Sequence, residues 1–566
     1  MVMTAPDVLS VCLALLSCAL LLLADHFGRG YGETEPEKSI LWICIAAVVI
    51  GCFARLARLA SLPGGISAEE ALIAVQAKAL WQTGSFLDAK GLVTQLPQWT
   101  GDPAGPLLAV LTAPFVGLLG MTELAVRLPL ALLSCMALPA AYLSGVELGG
   151  KRAGMWTLMF FAVSPIFVLT ARLTAAASLT FCLIPWTFFF SLRGLKRSGF
   201  LVPAFLLIGL LSYAQNLYFY LSAALVFLLA VQALLCGRPF RYVIPAAFMG
   251  MIICLPGILT AFANRQGGAD LSIGPLLISH LEEYDKAKNL FTMLKGHLHP
   301  DSLVFTKMWA VLTGGFFQNV MHSNIAYSLF ATDGKTALGL FSVPLALAGL
   351  LAGITYRLKG QRFSPPVRLM VSFGCATLLA ELFFGSVGEM EINGTTSIWD
   401  HSQLFPYTVL LAVVALIFVQ RRSRWAARGF LMIFAAGFIS LCISLFGGPY
   451  AQGANVYFTD YPQAIQAARE AQGATGAKLY ITSSVYPHAM PDEAARMMLY
   501  YTVDADMNTV AQFPDTYGEI YWPEGEDGPE KGCIHVVLQR EIRSWIWEDE
   551  DFTYESFGRY ALLIPR

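Results

Sequence analysis

Long apolar runs separated by short polar connections dominate the chain. They lie at about residues 8–24, 39–60, 125–148, 153–171, 176–192, 200–214, 217–235, 241–263, 336–356, 366–386, 404–420 and 427–446, each close to the length that crosses a hydrocarbon layer of about 30 Å as a helix. A further apolar run, 105–120, opens on Gly105-Pro106-Leu107. The pattern predicts about twelve spans plus a helix lying on the membrane surface. The first run lacks a basic leader, since only Asp7 is charged between Met1 and Leu9, so it is read as a retained helix and not a signal peptide.

The short basic connections set the orientation. Lys151-Arg152, the stretch Arg193 to Arg197 with Lys196, Arg238 with Arg241, Arg357 to Arg368, and Arg421-Arg422 to Arg428 all fall on one side if 105–120 does not cross. By the positive-inside rule that side is cytoplasmic. The loops 61–124, 264–335 and 387–403 then share the extracytoplasmic side with everything after residue 447. Arg55 and Arg58 run against the rule, because this scheme puts them at the outer face.

After Gly447-Gly448-Pro449 the composition changes abruptly. Tyr461 to Gln472 has helical patterning, Ala477 to Ser483 reads as a strand, Pro491 to Tyr501 as a helix, and Cys533 to Gln539 and Tyr560 to Ile564 as strands. The expected fold is therefore an α-helical polytopic membrane domain, residues 1–446, followed by a small extracytoplasmic α/β domain, residues 447–566. The acidic cluster Glu548 to Asp551 reads as a solvated face.

Composition agrees with the pattern: 56% hydrophobic against 13% charged residues marks a multi-pass membrane protein. A net charge of −2, with no basic patch carrying exposed aromatics, excludes nucleic acid as a partner. The cysteines lie almost entirely within the spans, so they suggest neither a disulfide framework nor a zinc site.

The chemistry concentrates in Gly64-Gly65-Ile66-Ser67-Ala68-Glu69-Glu70-Ala71, just after the second apolar run. Two carboxylates at a bilayer surface are costly. Ser67 can cap a helix that Gly84 stops, with both acids in its first turn and a small-residue face at Ala71, Ala74 and Ala77 suited to packing on neighbouring spans. The plainest role for such acids is to favour the helix N-terminus. The long loop 264–335 holds His280, His297, His299, His322 and several carboxylates, as a lid or binding wall would. The spacing of His297 and His299 is not specific for a metal; no cofactor is assigned, and a divalent cation is left open.

These features, in this order, resemble the bacterial GT-C glycosyltransferases that use polyprenyl-phosphate sugars, the superfamily of protein O-mannosyltransferases and the lipid A aminoarabinose transferase. The resemblance begins at Glu69-Glu70-Ala71, matching an Asp-Glu-Ala pattern in the first external loop. It continues through Leu80 to Gly84, Trp99, Gly105-Pro106-Leu107, Arg127-Leu128-Pro129, Gly149 to Arg152 and Ser164-Pro165 to Arg172, with weaker matches at Trp399 to Pro406 and Tyr457-Phe458. It implies a GT-C type bundle with surface helices in the first external loop, located in the cytoplasmic membrane, with an extracytoplasmic active site. The implied reaction moves a sugar from a polyprenyl-phosphate carrier to an acceptor in the cell envelope, with inversion. Glu69 would then be the general base and Glu70 its partner. Arg172, or else Arg58 and Arg55, would meet the donor phosphate, although snorkelling at the interface is the plainer reading of the last two. Trp99, Asp102, His322 and His401 are candidate substrate contacts.

The chain departs from the pattern at one place. Where many members of the superfamily carry a second acid after the arginine, this chain reads Leu173-Thr174-Ala175-Ala176-Ala177-Ser178. Glu70, Asp102 or an acid among Glu282, Glu283 and Asp285 would have to replace it, or the chain is a non-catalytic relative that binds lipid-linked sugar. A transporter or flippase is the other alternative, but only Glu381 reads as an acid clearly within a span, and no halves repeat.

Overall fold

The computed structural model describes residues 38–63, 66, 68–86, 105–215, 217–265, 271–273, 276–278, 342–384, 403–447, 461–482, 520–521, 530–539, 551–558 and 560–566. Thirteen of the described helices precede the tail: α1 (Lys38–Leu56), α2 (Ala68–Thr83), α3 (Pro106–Leu119), α4 (Glu123–Val163), α5 (Pro165–Thr170), α6 (Ala176–Gly194), α7 (Leu201–Leu211), α8 (Leu217–Leu235), α9 (Phe240–Arg265), α10 (Ser342–Leu358), α11 (Pro365–Phe384), α12 (Phe405–Arg422) and α13 (Arg424–Gly447). A short hairpin, β1 (Leu271–Ile273) with β2 (Leu276–Ile278), follows α9.

Among the described residues four helices are long and apolar enough to cross a membrane, namely Glu123–Val163, Phe240–Leu259, Phe405–Arg422 and Trp425–Ile443, and several shorter apolar helices accompany them. Large apolar side chains such as Trp42, Phe53, Phe248, Phe418 and Ile443 face outward, as expected where lipid and not water is the solvent. The first apolar run and most of the loop 264–335 lie outside the described residues.

α4 has 41 residues, roughly 60 Å at 1.5 Å per residue, twice the hydrocarbon thickness. It is two arms, not one span: Gly149 and Gly150 leave helical geometry, Gly150 with φ +79°, a conformation that glycine adopts without cost. The apolar run 153–171 is itself interrupted. The second arm ends at Ser164, and Pro165 opens the separate short helix α5. A proline nitrogen cannot accept the role of helix donor, so the carbonyl of Phe161 needs another partner.

The helices form two apolar bundles. α1, both arms of α4, α5, α10, α12 and α13 surround one core, and α6 to α9 with α11 surround the other. The tail supplies α14 (Tyr461–Thr475) and the strands β3 (Leu479–Thr482), β4 (Ile520–Tyr521), β5 (Ile534–Leu538), β6 (Phe552–Phe557) and β7 (Tyr560–Pro565). The sheet order is β4-β3-β5-β7-β6, with β3 parallel to both neighbours and β5-β7-β6 antiparallel. The helix expected at Pro491 to Tyr501 lies outside the described residues.

The alanine face of α2 packs chiefly on α3. Ala71, Ala74, Val75 and Ala77 join Ala113 and Val116 of α3, Ala125 and Val126 of α4, and Ala464, Ile465, Ala468, Leu479 and Val536 of the tail in one apolar cluster. Packing on neighbouring spans, the expectation from sequence, is met at the start of α4, at Ala125 and Val126. Residues without long side chains permit this close approach from several directions.

Candidate active site

The site starts from an unsolved end of a helix. α1 stops at Leu56, and its last carbonyls have no partners within the helix. Arg172, placed just after α5, supplies them. Its Nη1 donates to the carbonyl of Ala54 at 2.7 Å, and its Nη2 donates to Ala57 at 2.9 Å and to Leu62 at 3.0 Å. The guanidinium is fully buried and stands 5.8 Å from the ring of Phe446. A cation at a helix C-terminus is also favoured by the helix dipole.

Arg55 answers the problem created by Pro165. Its Nη2 donates to the carbonyls of Phe161 (2.5 Å) and Phe167 (3.2 Å), its Nη1 to Gly51 and Ala162, and its Nε to Ser134 Oγ at 2.8 Å. It is buried throughout. Arg55 and Arg172, the arginines expected to meet a lipid phosphate, are both buried, Arg172 donating to backbone carbonyls and Arg55 to backbone carbonyls and the Ser134 hydroxyl. The two residues that seemed misplaced by charge counting therefore separate: Arg55 is an internal brace, whereas Arg58 is exposed. Arg58 also has φ +52°, a left-handed conformation that costs a non-glycine residue about 1 kcal/mol or more.

Glu70 closes the second half of the clamp. Arg127 near the start of α4 grips its carboxylate with two donors, Nε to Oε1 at 2.8 Å and Nη2 to Oε2 at 3.0 Å. Arg127 Nη1 donates to the carbonyl of Pro63 at 2.7 Å, and the backbone N–H of Thr174 donates to Glu70 Oε1 at 3.1 Å. Thr174 Oγ1 in turn donates to the carbonyl of Val126. Both side chains of the ion pair are excluded from solvent. The end of α1 and the start of α2 are thus both held, Ala54 to Leu62 by Arg172, and Pro63 and Glu70 by Arg127.

Glu69 precedes Glu70 in the first turn of α2 and is half-buried. Successive helical residues point about 100° apart, so locking Glu70 inward turns Glu69 toward a different side. α2 ends as expected, with Gly84 at φ +74° and its N–H on the carbonyl of Leu80 at 3.0 Å. Trp99, Asp102, His322, His401, the loop acids Glu282, Glu283 and Asp285, and the histidines His297 and His299 lie outside the described residues, as does the capping residue Ser67. Among the described residues no group of three His, Cys, Asp or Glu side chains is placed to hold a metal ion.

Sequence reasoning did not assign Arg127 or Thr174. Arg127 carried a signal, because a charge two residues into an apolar run needs a partner, and Glu70 was the unpaired acid at the same surface. Thr174 carried none, since it acts through its backbone. Glu147 was also missed as an acid within a run. It is buried and pairs with Arg193 at 2.7 Å and Lys196 at 2.6 Å.

Residues 103–259 match the family model described as dolichyl-phosphate-mannose-protein mannosyltransferase. Two solved structures of ArnT from Cupriavidus metallidurans share the fold. The apo form gives a TM-score of 0.51 at 13% identity, covering 93% of this chain and 97% of that one. The form bound to undecaprenyl phosphate gives 0.50 at 13% identity, covering 93% and 98%. No curated protein matches by sequence. The family match over residues 103–259 and the shared fold agree with the resemblance to the GT-C glycosyltransferases read from the sequence.

Proposed function

We propose that this chain transfers a sugar from a polyprenyl-phosphate carrier to an extracytoplasmic hydroxyl acceptor of the cell envelope, with inversion, and that Glu69 is the general base. The carrier class is supported by the family match and by the relative that holds undecaprenyl phosphate. In the reaction the acceptor oxygen bonds to the anomeric carbon while the carbon–oxygen bond to phosphate breaks on the opposite face. The acceptor proton passes to the Glu69 carboxylate and the lipid phosphate leaves with its electron pair. Phosphate is already a good leaving group, so the protein's main tasks are to accept that proton and to offset the charge that departs.

The observation that carries this reading is the division of labour between adjacent acids. Glu70 is buried and held by three donors, while Glu69 beside it is half-buried on a helix start fixed by that grip. Glu70 rests against Thr174, inside the segment where the resemblance expects a second acid. We assign it that place as a positioning residue. Arg58, exposed on the clamped turn, is the arginine assigned to the departing phosphate.

Glu69→Gln keeps the shape and removes the base. In a transfer assay with the full chain and a polyprenyl-phosphate sugar, it should lower turnover by about 10²-fold or more, the scale of general-base catalysis. Turnover equal to the wild type would remove Glu69 from the role. The absence of an acid at 173–178 favours one other reading, a sugar-lipid-binding relative without catalysis. Donor binding by the wild-type chain without turnover on any envelope acceptor would support it.

A further inference from the structure

A second charged assembly lies at the far end of the first arm of α4. Arg127 and Glu147 are twenty residues apart on the same arm, about 30 Å along the axis at 1.5 Å per residue, so the assembly stands one hydrocarbon thickness from Glu70. There Glu147 pairs with Arg193 and Lys196, and Arg238 Nη1 donates to the carbonyl of Lys196 at 2.9 Å. These bonds draw the turn after α6 against the turn before α9. Among the described residues Arg197, Arg238 and Arg241 have no carboxylate partner, and Arg238 Nε is buried without an acceptor. The guanidinium of Arg241 lies 5.0 Å from the ring of Tyr242.

Arg241 also heads an apolar face. Ile244, Phe248, Ile252 and Leu255 follow it at helical spacing along α9, and all four are exposed, from 46% to 65%. α9 is long and apolar enough to cross a membrane. A ligand that fits has an anionic head of phosphate type, suited to forked arginine donors, and an apolar tail that runs down the helix. We propose that Arg238 and Arg241 bind the phosphate of an acidic membrane phospholipid whose acyl chain lies along Ile244, Phe248 and Ile252. Basic pockets between spans recognise acidic headgroups in this way. The proposal is independent of the sugar-transfer reading, because it uses neither Glu69 nor the turn at Arg58.

Native mass spectrometry of the full chain, released from detergent with equimolar phosphatidylglycerol and phosphatidylcholine, tests it. The wild type should retain phosphatidylglycerol preferentially, and R238Q/R241Q should lower that retention at least fivefold. R421Q/R422Q, which removes equal charge elsewhere, should leave it unchanged. Arg241→Gln alone, an exposed position, covers the case in which the double variant fails to fold, with an expected loss of at least twofold. Equal retention of the two lipids, retention unaffected by Arg241→Gln, an equal loss in R421Q/R422Q, or a dimer occupying the face without bound phospholipid would each overturn the proposal.

Discussion

At the scale of single residues, three arginines of identical chemistry have different roles because of what each one meets. Arg55 and Arg172 are surrounded by carbonyls that a proline and a helix end left without donors, and Arg127 by a carboxylate. The last pair gives a sharp expectation. Removing one partner of a buried ion pair leaves an uncompensated charge and costs about 3–5 kcal/mol, whereas replacing both with apolar groups is often close to neutral. Glu70→Leu should therefore lower the melting temperature of the detergent-solubilised chain more than Glu70→Leu with Arg127→Leu does. A double variant that melts below both single variants would show that the pair has no such balance. Sequence made Glu70 and Arg127 visible as charges near apolar runs but could not join them, because 57 residues separate them and the contact depends on how α2 enters the bundle. Arg58 and Arg55 looked equivalent in sequence for the same reason: three positions along a chain do not disclose where a helix stops.

At the scale of elements, the apolar runs located most helices, since bilayer length and hydropathy are local properties. The break at Gly149-Gly150 was legible too, as two glycines between apolar runs. The break at Ser164-Pro165 was not, because apolar residues flank it on both sides and hydropathy continues through it. Strand β6 was missed for a related reason: only Phe552 on it is fully buried, so alternation is faint at a sheet edge. Helix contacts depend on features that hydropathy does not record. A Cβ added at Gly349 of α10 would overlap the carbonyl oxygen of Leu411 on α12, whereas one added at Gly353 meets nothing within 4 Å. Packing between spans relies on such small residues, because lipid supplies no hydrophobic drive to hold helices together. Gly349→Ala must push the two backbones apart and should lower the melting temperature by several degrees. Gly353→Ala, on the same helix, should leave it within about a degree or raise it slightly, since alanine is the better helix former. Equal melting temperatures for the two variants would contradict the close approach.

At the scale of the whole molecule, the tail and the site share one apolar cluster, so the stability of the sheet bears on the helix that carries Glu69. His535 lies at the centre of that sheet on β5, fully buried, with Nε2 2.9 Å from the carbonyl of Glu530 and its ring stacked on Tyr480. Burial holds its pKa below the ordinary value of 6.5, so the folded tail keeps the ring neutral where an unfolded chain would protonate it. Below about pH 6.5 the unfolded state therefore binds more protons than the folded one, and stability falls with pH until the lower folded-state pKa is reached. A single histidine contributes a slope of at most about 1.4 kcal/mol per pH unit in that window. Hydrogen exchange of the full chain, corrected for intrinsic rates, should show strands β3, β5 and β7 losing protection between pH 7.5 and pH 5.5. His535→Gln, which cannot take up the proton, should flatten that dependence whatever its effect at neutral pH. Because Ala464, Ile465 and Val536 belong to the same apolar cluster as the alanine face of α2, the protection of residues 71–80 should fall in the same window. Acid loosening of the tail that left α2 fully protected would show that the shared cluster does not couple the two.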